Sequence, residues 1–108
     1  MKAKALIEFL DGVLKPGEFR DYAPNGLQVE GRENISSIVL GVSASLGLLE
    51  AAAAKGADAV LVHHGWFWRG EDARIVGVKG RRIRCLIENG MNLIGYHLPL
   101  DADRKSVV

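Results

Sequence analysis

A chain of 108 residues holds one domain at most, with room for a single core and little for a deep cleft, so function through an oligomer is one expectation. Lys and Arg number 14 against 13 Asp and Glu, a net charge of +1 that points to no nucleic-acid or membrane partner. The single cysteine, Cys85, excludes an internal disulfide, and no run is apolar enough to span a bilayer. The first residues carry Lys2, Lys4, Glu8 and Asp11 and lack the apolar centre of a signal peptide, so a cytoplasmic protein is expected.

Leu6, Phe9, Leu10, Val13 and Leu14 recur at helical spacing, which predicts an amphipathic packing helix over residues 3 to 14 that stops before Pro16. Residues 15 to 34 are polar and punctuated by Pro24, Asn25-Gly26 and Gly31. They read as a long loop with one short hairpin around Leu27 to Val29. A loop of about twenty residues in a compact domain suggests a functional or interface role. Asp21, Tyr22, Asn25 and Gln28 are its candidates for a site wall, against the plainer reading of solvent-facing turn residues.

Ile38 to Val42 is expected to be the first buried strand, followed by Ser43-Ala44-Ser45, which offers a helix-capping hydroxyl. Leu46, Leu49, Ala52 and Ala53 form the inner face of the next helix, which Gly56 terminates. Ala59 to Val62 is a second strand, so the three elements make a βαβ unit with parallel strands and a right-handed crossover. No G-x-G-x-x-G follows the first strand, and dinucleotide binding of the usual kind is not indicated.

The second strand runs into His63 and His64 at its carboxyl end, where the loops of a parallel sheet leave a crevice for ligands. A lone histidine at a strand end is more often a hydrogen-bonded surface residue, and adjacent strand residues point to opposite faces. Convergence of the pair on one ion therefore requires a turn between them, which Gly65 would permit, or else two ions side by side. Trp66, Phe67 and Trp68 follow. Trp66 and Trp68 could stack on a purine or pyrimidine ring, or equally be buried in a subunit interface.

Residues 80 to 89 are expected to form a second crossover helix with Ile83, Leu86 and Ile87 inward, and Arg81, Arg82 and Arg84 largely outward. Cys85 on that helix reads as core rather than nucleophile. Asn92 to Tyr96 is the third strand, ending in His97, with Asp101 shortly after. Two parallel strands thus deliver His63, His64, His97 and Asp101 to one sheet edge, a nitrogen and oxygen set suited to zinc, iron or manganese. The expected fold class is α/β, a three-layer sandwich around a mainly parallel sheet.

The strings DYAPNGLQVEG (21 to 31), GADAVLVHHGWFWRG (56 to 70) and YHLPLDA (96 to 102) resemble the GTP cyclohydrolase I type 2 homologues, also called NIF-three-like dinuclear metal-binding proteins. The likeness covers nearly the whole chain. It implies two divalent metal ions per complete site, a toroidal homo-hexamer, and His63, His64 and Asp101 as metal ligands. By the same likeness His97 stands beside the ions, as support for the ligands or as an occasional ligand itself, where it could orient a ligand or shuttle a proton. The implied activity is hydrolysis of a purine nucleotide or related C–N bond through metal-activated water. The alternatives are a non-catalytic metal-binding scaffold and an inactive fragment. Family members are more than twice as long and add a histidine and a bridging glutamate from a helix near their C-terminus. This chain carries neither, and Asp103 to Val107 replace the usual continuation of the aspartate motif, so it resembles the N-terminal half of such a protein.

Overall fold

The computed structural model describes residues 1–16, 25–67 and 71–97. Seven elements follow in order: α1 (Ala3–Leu14), β1 (Gly26–Val29), β2 (Ile38–Ser43), α2 (Leu46–Ala54), β3 (Ala59–His64), α3 (Gly77–Glu88) and β4 (Asn92–Gly95). The four strands form one sheet in the order β1-β4-β3-β2. β2, β3 and β4 are parallel and β1 runs antiparallel to β4. The class is α/β. Parallel neighbours need crossovers, and α2 and α3 supply them, packing against each other over one face.

Side-chain alternation along the strands sends residues to two apolar layers. Val60, Val62 and Leu93 join Leu49, Ala52, Ile83 and Leu86 beneath α2 and α3. Ala59, Ile94 and Tyr96 join Leu6 and Leu14 beneath α1. Leu49, Leu86 and Leu93 have no exposed surface, and each contributes about 1.5–3 kcal/mol through its burial. The phenol of Tyr96 donates to Asp11 Oδ1 at 2.7 Å and ties α1 to the sheet. Burial, and then the Asp11 carboxylate, push that phenol well above its ordinary range.

Several expectations change at this level. The segment at 27–29 is a strand, but its partner is β4, far along the chain, rather than a local hairpin. β2 is an edge strand, so it is not buried on both faces: Leu40 is 71% and Val42 69% exposed. Phe9 and Val13 on α1 are also exposed, because the helix covers the β1–β4 side and leaves an apolar groove of about 270 Å³ between Leu6, Leu10, Leu40 and Leu61. Ile87 faces solvent, whereas Arg82 is half-buried.

The amino edge of the sheet is held by polar residues. Asn92, fully buried, accepts from Gly31 N at 2.7 Å and donates to the carbonyls of Arg32 and Asp58 at 2.9 and 3.0 Å. Asp58 accepts from Ser36 N, Ser36 Oγ, Ser37 N and Arg32 Nη1. The Ser36 amide, then the Arg32 guanidinium, lower its carboxyl to about 2. No described helix is long and apolar enough to cross a membrane.

Candidate metal centre

β3 and β4 lie side by side, paired from Ala59↔Asn92 to Val62↔Gly95. Beyond the last pair, Tyr96 N still donates to Val62 O at 3.1 Å, and His63, His64 and His97 follow where the sheet ends. Ring centroids of His63 and His64 are 4.3 Å apart, those of His63 and His97 4.6 Å, and those of His64 and His97 5.2 Å. One nitrogen from each imidazole lies within 4.8 Å of the other two. Two donors on one tetrahedral ion stand about 3.3 Å apart. Small side-chain rotations therefore separate the observed cluster from a ligating one.

No turn separates His63 from His64, since both still belong to β3 and His64 pairs with Ser43. The rings meet over the open end of the sheet. Gly65 has a different role: a Cβ there would run into the carboxamide of Gln28. The β1–β4 register shifts between Leu27 and Val29, which makes Gln28 the extra residue of a bulge and re-aims its side chain. Gln28 Oε1 accepts from Trp66 N at 2.8 Å, and Asn25 Oδ1 accepts from His97 N at 2.9 Å. Two residues read chiefly as turn formers thus hold the backbone just past each histidine-bearing strand. The Asn25-Gly26 turn signal was visible in sequence, whereas the bulge that aims Gln28 has no local signature.

Trp66 neither stacks at the site nor waits for an interface. It is 4% exposed, packed into the α2–α3 layer, with Nε1 donating to Ala44 O at 3.2 Å. Phe67 takes a left-handed φ of 66° and donates its amide to Glu71 Oε2 at 2.8 Å. Lys79 pairs with the same carboxylate at 3.0 Å and lies 5.1 Å from the Phe67 ring centroid. The Cys85 thiol is pushed up, by burial first and then by Glu50 and Glu88, which suits a packing role. Asp21, Tyr22, Trp68 and Asp101 lie outside the described residues.

The profile of Duf34/NIF3 (NGG1p interacting factor 3) matches residues 1–108. The chain belongs to this family. It is 57% identical over 97 residues to a GTP cyclohydrolase 1 type 2 homolog of Allochromatium vinosum, covering 90% of this chain and 38% of that protein. Among solved structures, the ybgI protein, described as of unknown function, superposes with a TM-score of 0.93 at 52% identity, covering 94% of this chain and 41% of the other. TTHA1606 of Thermus thermophilus follows with a TM-score of 0.90 at 37% identity, covering 94% and 42%. The chain therefore spans about two fifths of the length of the Duf34/NIF3 relatives it matches.

Proposed function

We propose that this Duf34/NIF3 chain carries part of a divalent-metal centre, and that the centre belongs to a cytoplasmic hydrolase acting on a purine nucleotide or a related C–N bond. The observation that carries the reading is the meeting of three imidazoles, from two strands more than thirty positions apart in sequence, with one nitrogen of each within 4.8 Å of the others. Imidazole nitrogen suits zinc, iron or manganese. His63 and His64 hold the ion in this reading, with Asp101 as an oxygen ligand by family likeness. His97 either completes the set or orients the substrate. Asn25 and Gln28 keep the two strand ends in register, the kind of support that ligating side chains require. When bound, the ion would lower the pKa of a water molecule and polarise a substrate oxygen.

A second reading, a metal-binding scaffold without turnover, is favoured by the donor count. The described cluster contains three imidazoles and no carboxylate, while a two-metal site with open positions for water needs about five protein ligands. On either reading the chain associates with copies of itself, a hexamer in the family-like arrangement. The exposed apolar side chains of α1 and β2 support that.

Elemental analysis and GTP turnover on one tag-free preparation test the proposal. The 108-residue chain is expected to bind at most one equivalent tightly and to turn over little or no GTP. Metal content that is the same in wild type and His64→Ala would overturn the site. Robust, chelator-sensitive turnover by the 108-residue chain would overturn the ligand count.

A further inference from the structure

A mainly parallel sheet is ordinarily covered on both faces, because its strands are apolar on two sides. Here α2 and α3 cover one face, while α1 covers the other only over β1 and β4. No described element lies over Ile38, Leu40 and Val42, which alternation along β2 sends to the α1 side. β2 is also an edge strand without the usual guards, since neither a charged residue nor a proline occurs from Asn34 to Leu49. The exposed surface of α1 divides into two stripes. Lys4, Glu8 and Asp11 lie one above the other and form a charged stripe. Ala5, Phe9, Gly12 and Val13 form a second, uncharged and exposed along its length. By helical geometry this second stripe adjoins Leu6 and Leu10, the two residues that wall the groove. Wall and floor are thus one apolar surface that turns a corner from α1 onto β2 and β3. The floor, two strands wide, measures about 10 Å across, the diameter of a helix with its side chains.

We propose that this surface pairs with its copy on a second molecule about a twofold axis, the uncharged stripe of each α1 lying on the β2–β3 floor of the other. The inference rests on the self-association proposed above and names its surface. An isologous contact needs one patch that is complementary to itself, and a helix stripe beside a helix-wide floor meets that condition. The charged stripe of each α1 lies at the rim, in water. The six residues of β2 and the twelve of α1 give each copy a footprint of roughly 400 Å². That is about half the area per partner of a standard stable interface, so the contact is weak, with a Kd of about 10–100 μM.

The test is sedimentation velocity of the tag-free 108-residue protein over about 5–500 μM, a range that brackets the expected Kd. The wild type is expected to grow in mass from the monomer across that range. Leu40→Lys and Phe9→Glu change residues that are exposed in the single molecule, so each should leave the far-UV circular dichroism unchanged. Each should raise Kd by roughly tenfold or more, because it sets a charge against an apolar surface in both halves of the contact. An equimolar mixture of the two should associate within about threefold of wild type, since a mixed dimer has one native half and one in which the introduced charges face each other. Ile87→Lys, equally exposed but on α3 at the opposite face of the sheet, should change nothing. A monomer throughout the range overturns both this surface and the self-association reading, and leaves the face to a different polypeptide. Wild-type association that survives both charged variants, or a mixture no tighter than its components, overturns this surface alone. Metal content, measured on the same samples, reports separately on the histidine cluster.

Discussion

The two ends of the sheet use polar residues in opposite ways. At the amino edge, Asn92 and Asp58 each join backbone groups of the 31–37 segment to the strands, and their hydrogen-bonding capacity is directed into the chain itself. At the carboxyl edge, three residues of one chemistry lean on one another over the end of β3 and β4, and polar side chains from β1 and the turn before it hold the backbone beneath them. The first arrangement is what a fold needs to bury backbone without orphaned donors. The second gathers like donor groups at one point, which folding alone does not require. In a parallel sheet the crevice for ligands lies at the carboxyl ends, and the difference follows that polarity.

The sharpest way to break this contrast is at the histidines. His64→Ala is expected to abolish at least one equivalent of bound metal, while changing the denaturant midpoint of metal-free protein little. A large loss of stability with metal content intact would instead make the cluster structural. Asn92→Ala should do the converse. It leaves Gly31 N and the Arg32 carbonyl without their partners, while Asp58 O keeps the Asn92 amide, and should cost about 2–4 kcal/mol in urea denaturation without altering metal affinity of the folded protein.

Gln28→Ala sharpens the comparison at an intermediate level. It removes the acceptor for Trp66 N behind His64, and metal affinity measured by competition with a chelator should fall by about 10–100-fold. An unchanged affinity would show that the bulge only closes the sheet edge.

The smallest expected effect is a pH dependence confined to the amino edge. The Asp58 carboxyl is lowered to about 2 from an ordinary 3.8, so between these values the unfolded chain binds more protons. Its contribution is therefore complete above about pH 5 and is lost as pH falls through 2. Relative to wild type, Asp58→Asn should be less stable by about 1–2 kcal/mol at pH 7, with the gap narrowing from pH 4 to 2. A gap independent of pH would mean that the contribution is not that of the charge.

The features most legible in the sequence are those with local causes. The helical period gives α1, the hydroxyl of Ser45 caps α2, and short apolar runs give β3 and β4, because these depend on neighbours a few positions away. From two strands of like direction, the meeting of His63, His64 and His97 also follows, since parallel strands present their carboxyl ends together.

What only the tertiary structure decided is partnership between distant segments. Alternation in β2 cannot say that the strand lies at an edge, and Leu27 to Val29 cannot say whether it pairs locally or with β4. Arg82 sits in an arginine-rich stretch that reads as a solvated face, and only the approach of α2 to α3 beside His64 encloses its Nε. Gln28 is similar: a register shift of one residue turns its side chain, and no pattern within four residues of strand encodes that shift. Local periodicity thus determined which segments are helix or strand and where the histidines stand along them. The packing of segments far apart in the chain decided which polar groups are bonded within the amino edge and which gather at the carboxyl edge.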